Sequence, residues 1–328
     1  MTLDDLPPAL LRIYAVAFGL VWGSFLNVVI YRVPRGMSVV RPASHCPGCN
    51  KPIRAWDNIP VLGYLLLRGK ARCCGARLSP RYPLVEAIGG VLSLAILEAI
   101  VFRLPPDTSL QRAGAIYIAD LALVLGLTAG AFIDLEHMIL PDTITLGGAV
   151  LGLATSSLRE LPFLESLLGA LVGFVVVWLP FLVIYPRVRG TVGMGLGDAK
   201  LLMLAGAWFG WGGALFVLGM GAVQGTLYAL AVWIFRGRID DPEAVQRERE
   251  ELQKELAALP PEERAEAEKE LAEDLLNQEP GEGLGKARLA FGPFLALTTI
   301  ECLFEGRTFV FGWVDRVVGT LFGWLGLA

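Results

Sequence analysis

Gly193-Met194-Gly195-Leu196-Gly197-Asp198-Ala199-Lys200-Leu201-Leu202-Met203-Leu204 is the stretch that decides the fold, because a glycine-rich, charged border passes here directly into a long apolar run. A second acid, Asp134, ends an earlier apolar run. Carboxylates at the edges of separate membrane-length segments are costly to keep there, so both are functional candidates by default.

The rest of the chain agrees with a membrane setting. With 328 residues, 54% of them hydrophobic, and a mean hydropathy of +0.56, it is too apolar for a soluble domain of this length. Apolar runs of crossing length or nearly so cover Leu10 to Ile30, Pro83 to Val101, Ala115 to Ile133 and Ile144 to Ser157. Others cover Leu167 to Tyr185, Leu201 to Phe216, Val217 to Phe235 and Leu289 to Phe304. A last run, Phe309 to Leu327, carries Asp315 and Arg316 mid-run, and reads either as an interfacial helix or as a ninth span. The expected fold is therefore an all-α polytopic membrane protein with about eight transmembrane helices.

The first run is preceded by Asp4 and Asp5 where a signal peptide would be basic, so it is expected to remain as an anchor. The loop after it holds Arg32, Arg35, Arg41, Lys51, Arg54, Arg68, Lys70, Arg72, Arg77 and Arg81 against the single acid Asp57. By the positive-inside rule this loop is cytoplasmic and the N-terminus outside, and alternation brings Asp134 and Asp198 to the cytoplasmic border. The formal charge of -4 carries no nucleic-acid footprint, because half of the acids crowd into one insert, Asp240 to Glu282. There Leu252, Leu256 and Leu259 recur at helical spacing, Pro260-Pro261 interrupts, and Leu271, Leu275 and Leu276 resume, which predicts a solvated helical hairpin.

The first loop also contains Cys46-Pro47-Gly48-Cys49 and Cys73-Cys74. In a reducing compartment such spacing points to metal ligation by Cys46, Cys49, Cys73 and Cys74, with zinc as the ion. The second pair is irregular, because adjacent thiols chelate one ion awkwardly, so His45 or another group could substitute. A loop domain without metal, held by packing of Trp56, Ile59, Leu62, Tyr64 and Leu65, stays open as well.

Asp134-Leu135-Glu136-His137-Met138-Ile139-Leu140-Pro141-Asp142 crowds three acids and an imidazole at one membrane border. Two carboxyl groups that share one proton can activate water and polarise a scissile carbonyl, and Asp134 with Asp198 would form such a dyad if their helices pack together. Asp198 also suits a helix N-cap ahead of Ala199 to Leu204, and Asp142, after Pro141, reads as a cap. Lys200 could offset negative charge or bind a lipid phosphate, with snorkelling to the headgroups the commoner explanation. Only His45 and His137 are available as imidazoles and no Gly-x-Ser-x-Gly elbow is present, which disfavours metalloprotease and serine hydrolase chemistry. A transporter using border carboxylates as an ion relay is the alternative of a different class, and it expects acids near the midplane.

The ordered motifs resemble the type IV prepilin leader peptidases, membrane aspartic proteases of the Gly-x-Gly-Asp type. They run from Gly23-Ser24-Phe25-Leu26-Asn27 through Cys46-Pro47-Gly48-Cys49, Asp57-Asn58-Ile59-Pro60, Leu67-Arg68-Gly69-Lys70 and Arg81-Tyr82-Pro83-Leu84-Val85-Glu86. Ile133-Asp134, Leu140-Pro141-Asp142, the Gly195-Leu196-Gly197-Asp198 border and Phe291-Gly292-Pro293-Phe294 complete the series. The resemblance implies catalytic aspartates at Asp134 and Asp198, and removal of the basic leader from type IV prepilins or type II secretion pseudopilins. It also implies N-methylation of the new N-terminal residue with S-adenosylmethionine, and a site in the bacterial inner membrane facing the cytoplasm. Assembly components of a pilus or secretion system are the further partners it suggests. Glu136 and Glu86 are the acids considered for meeting the basic leader. Where the family's second Cys-x-x-Cys would use positions 71 and 74, this chain has Ala71 and Cys74, with Cys73 between. The expected organisation is an anchor over 1–32, a cysteine-containing domain over 33–82, a peptidase core over 83–236, a charged insert over 237–287 and membrane segments over 288–328.

Overall fold

The computed structural model describes residues 2–189, 194–237 and 289–305, with isolated positions beyond 237. The acidic insert and the last apolar run lie outside the described residues. Among those described no strand occurs, and only isolated bridges interrupt an all-helical chain. The helices are α1 (Pro8–Arg32), α2 (Leu62–Leu66), α3 (Arg81–Ala99), α4 (Leu110–His137), α5 (Asp142–Ala154), α6 (Phe163–Val177), α7 (Tyr185–Arg189), α8 (Leu196–Arg236) and α9 (Gly292–Glu305). Five of these helices, with their continuations, are long and apolar enough to cross a membrane. This is a multi-pass membrane protein, and all eight expected runs are helical.

Two compact units divide the chain. The first comprises Met1–Gly130 with Ala154–Pro162, the second Ala131–Leu153 with Phe163–Ala328. In the first, α1 and α3 run antiparallel along a seam of small residues. A methyl group on Gly89 would meet Gly23 Cα at 2.9 Å, and one on Gly23 would meet Glu86 Cα at 2.8 Å. Small residues let helix backbones approach in lipid, where no hydrophobic drive pushes apolar helices together. Buried Ser93 on α3 donates to the Ala15 carbonyl of α1 and shares a 2.6 Å hydrogen bond with the Tyr117 hydroxyl of α4.

The loop between α1 and α3 is tied down by polar contacts. The buried Arg32 guanidinium donates to the Ser38 carbonyl at 2.9 Å and the Pro42 carbonyl at 2.8 Å. Arg72 grips Asp57 through two nitrogens at 2.8–3.0 Å, and that guanidinium holds the Asp57 carboxyl below its ordinary value. Glu86 Oε2, inside α3, accepts the Val61 N–H at 2.6 Å. The alternative of a loop core packed from Trp56, Ile59, Leu62, Tyr64 and Leu65 is not what forms: Tyr64 is half-buried and the other four are exposed. Polar tethers replace the missing core.

The second unit is built on α6 and α8. Gly210 has φ +77°, a conformation open to glycine, and it breaks α8. A methyl group on Gly173 would strike the Leu202 carbonyl and also meet Ala214 at 3.2 Å. In a straight helix those two residues would lie about 18 Å apart. The chain therefore reverses at Gly210, and α8 forms two antiparallel legs, as the two separate apolar runs require; the break falls at Gly210 and not after Phe216. α5 runs parallel to the first leg: Gly148 faces Leu204, Gly152 faces Trp208, and Trp208 Nε1 donates to the Gly148 carbonyl at 2.9 Å. α9 packs on the second leg, with Leu295 against Gly221 and Phe291 against Gly225. Beyond α6, Pro180 removes a backbone donor and the helix loosens into a π-helical segment, Trp178–Ile184.

A side chain at Gly206 would drive into the Gly169 backbone. Gly206→Val is expected to destabilise the protein by about 1–3 kcal/mol, the usual range for overpacking. Denaturant unfolding in micelles checks this; an unchanged midpoint would show that the α6–α8 approach is not tight.

Candidate functional site

Asp134 lies in the last turn of α4 and Asp198 is the third residue of α8. Both side chains are buried, and the two carboxylates lie within electrostatic reach of each other. The Gly292 N–H, at the start of α9, donates to the Asp134 carboxylate. A methyl group on Gly292 would meet Asp134 Oδ2 at 2.6 Å and Leu140 Cδ1 at 3.0 Å, and one on Gly197 would meet Leu140 Cβ at 3.0 Å. Leu140 therefore fills the gap between the Gly-x-Gly-Asp turn and the α9 terminus. Met138, with φ +52°, makes the reversal after α4 that carries Leu140 back. The Met138 N–H closes that turn on the Asp134 carbonyl at 2.8 Å.

One expectation about capping changes. Gly195 is the N-cap of α8, and Asp198 stands inside the first turn with Oδ2 accepting the Gly195 N–H at 3.2 Å. Asp142 opens α5, and its carboxylate takes the Lys200 ammonium at 2.6 Å. Lys200 is thus an ion-pair partner that joins the starts of α5 and α8, not a snorkelling lysine. Glu136 and His137 follow Asp134 and are half-buried. Glu86 is buried and already holds Val61 and Ser24, so it offers no exposed acid for a leader.

The cysteines come together despite their irregular spacing. The Sγ atoms of Cys46, Cys49, Cys73 and Cys74 all lie within 4.8 Å of one another. Cys49 and Cys73 are 3.2 Å apart, and Cys46 and Cys74 3.6 Å. Two turns of the same design make this possible. Cys46 N–H donates to the Lys51 carbonyl and Asn50 N–H to the Cys46 carbonyl; Ala71 N–H donates to the Ala76 carbonyl and Gly75 N–H to the Ala71 carbonyl. Asn50 and Gly75 share a positive φ, and bridges His45–Pro52 and Lys70–Arg77 flank the two turns. Ala71 therefore occupies the place of Cys46, Cys74 that of Cys49, and Cys73 supplies the fourth thiol from inside the second turn. The Gly48 N–H lowers the Cys46 thiol to about 6, while hydrogen bonding to Cys49 raises Cys73 to about 12. His45 is not part of the group; its Nδ1 faces the Ala43 carbonyl at 3.3 Å. A tetrahedral zinc–thiolate site has Zn–S bonds of about 2.3 Å, hence sulfur–sulfur edges of about 3.8 Å, and this donor set fits it.

One polar group escaped the sequence reading. Asp120, inside the apolar run that forms α4, is buried and electrostatically coupled to Arg159. Its signal was an acid within a membrane-length run, which marks a paired or functional group. Asp134 and Asp198, in contrast, lie at helix ends, where a midplane ion relay would not put them.

Residues 17–100 match the bacterial peptidase A24 N-terminal domain and residues 121–230 the type IV leader peptidase family. The chain is 39% identical to a prepilin leader peptidase/N-methyltransferase of Klebsiella pneumoniae, over 59% of this chain and 82% of that protein. It is 36% identical to one of Pseudomonas putida, over 71% and 84% of the two chains, and 37% identical to one of Myxococcus xanthus, over 73% and 69%. No solved structure matches. With both halves matched and most of each relative's length covered, the chain belongs to the type IV leader peptidase family.

Proposed function

We infer that this protein removes the leader from prepilins and N-methylates the new N-terminus, using Asp134 and Asp198 as the peptidase dyad. The observation that carries the reading is that two buried carboxylates from α4 and α8 lie within electrostatic reach of each other at one end of the second unit, in a chain whose relatives are prepilin leader peptidase/N-methyltransferases. A dyad of this kind holds one proton between two oxygens that face each other. The ionised acid takes a proton from water as the water oxygen attacks the scissile carbonyl, and the neutral acid donates to the developing oxyanion; the tetrahedral intermediate then collapses, the C–N bond breaks, and the acid that took the water proton passes it to the departing amine. The Gly292 N–H fixes the orientation of Asp134, and Gly195 that of Asp198. Leu140, buried, packs against Gly197 and Gly292 beside the pair.

The sidedness follows from charge. The basic loop between α1 and α3 is assigned to the cytoplasm of the inner membrane. α3 then leads outward and α4 back, so Asp134 at the end of α4 opens on the cytoplasmic side, where a basic leader resides before export. Prepilins and pseudopilins are the substrates, and pilus or secretion assembly components the onward partners. S-adenosylmethionine supplies the methyl group as a sulfonium-activated electrophile. Cys46, Cys49, Cys73 and Cys74 would hold zinc, which would serve as a structural clamp on the loop.

Asp134→Asn and Asp198→Asn should each lower leader cleavage by about three orders of magnitude or more, as loss of one member of a concerted catalytic unit does, with methyl transfer to a pre-cleaved pilin retained. Cleavage of a prepilin by the purified variants is the measurement; wild-type turnover in either one removes the dyad assignment. Metal analysis of the purified protein should find zinc, and Cys73→Ser should lose it while Cys302→Ser keeps it. Full zinc occupancy in Cys73→Ser would exclude that residue as a ligand.

A further inference from the structure

The short helix α2 has its two faces reversed relative to a soluble domain. Gly63 is buried against the Asp57 carbonyl, and Tyr64 lies over Gly69, so the inner face is small and polar. The outer face carries Leu62, Leu65 and Leu66 at 56%, 61% and 77% exposure, at the i, i+3, i+4 spacing that puts them side by side. Trp56, at 74%, precedes them on the same loop. Three leucines and a tryptophan held out to water would be a liability on a soluble surface.

The position of this face says what covers it. Val61, immediately before α2, donates its N–H to Glu86, the sixth residue of the membrane helix α3. Glu86 lies about 8 Å along α3 from its first residue. That bond draws the start of α2 down to the level of the second turn of a membrane helix, the depth of a headgroup and upper acyl layer. Exposed Arg54, Arg68 and Lys70 flank the leucines in sequence, and the one acid of the loop, Asp57, is taken by Arg72. An apolar face flanked in sequence by cations at that depth is complementary to an anionic bilayer surface.

We propose that α2 with Trp56 is an interfacial anchor: it lies in the anionic leaflet and holds the cysteine-containing loop against the bilayer, with Glu86 as the tether that sets its depth. The anchor keeps the loop beside the membrane border at which the resemblance to leader peptidases expects a pilin N-terminus. It does not depend on the dyad or on methyl transfer.

The test uses the full-length protein, one copy per nanodisc, in phosphatidylcholine with phosphatidylglycerol, and takes the emission of Trp56 as the difference between wild type and Trp56→Phe. Lipids brominated high on the acyl chain should quench most of the Trp56 emission, and aqueous acrylamide little of it. Leu62→Asp with Leu66→Asp should release Trp56 to acrylamide, with leader cleavage intact as the control for folding. Trp56 as open to acrylamide as free tryptophan in anionic discs would overturn the proposal. So would protection from acrylamide without bromine quenching, which would mean a protein cover, and so would bromine quenching that survives in the double variant.

Discussion

Gly206 and Gly169 bring two helix backbones into contact, and the second unit is arranged around that approach. Between membrane helices the lipid is as apolar as leucine, so association depends on close packing and internal hydrogen bonds. Gly173 against the Leu202 carbonyl extends the same seam, and the Ser166 hydroxyl reaches across to the Ala207 carbonyl. With α6 pressed on the first leg of α8, the reversal at Gly210 returns the second leg beside it, and α9 then packs on that leg. The result places the beginnings of α8 and α9 at the same end, where Asp198 and Gly292 are needed.

The carboxylates therefore inherit their positions from backbone packing that occurs deeper in the unit. α5 and the first leg of α8 run parallel in step, so their opening acids, Asp142 and Asp198, stand at one border. The Lys200 ammonium distinguishes the two acids: it pairs with Asp142, while Asp198 lies within electrostatic reach of Asp134. Leu140 completes the arrangement because both of its neighbours, Gly197 and Gly292, lack side chains. A side chain at Gly292 would crowd both Asp134 and Leu140, and one at Gly197 would press on Leu140.

The membrane class and the eight helical runs were legible because lipid leaves few ways to satisfy a backbone, so apolar length maps onto helix. Asp134 and Asp198 stood out as candidates from border position and from motif order, which together narrow the choice among many acids. The break in α8 was misplaced, since Leu201 to Phe235 is apolar throughout and three nearby glycines, Gly210, Gly212 and Gly213, are equally eligible in sequence. Only the backbone conformation singles out Gly210. The leucines of α2 show a different limit: helical spacing reveals that one face is apolar, but not whether protein or lipid covers it. Asp120 was hidden for a third reason, because its partner Arg159 is remote in sequence.

The cysteine loop shows how a thiol can shift without loss of the turn that presents it. Each turn is closed by two backbone hydrogen bonds, from residue i to i+5 and from i+4 to i, and neither involves a thiol. Ala71 can thus stand where Cys46 stands in the other turn, buried and hydrogen-bonded in the same way. The turn it begins still presents Cys74 at the equivalent of Cys49, and its middle residue, Cys73, points its sulfur toward Cys49. Four sulfurs converge because two similar turns face each other, and the convergence tolerates an irregular sequence as long as the backbone pattern survives. Spacing rules for metal motifs describe the common solution to this geometry; the constraint itself is that four donor atoms reach one point.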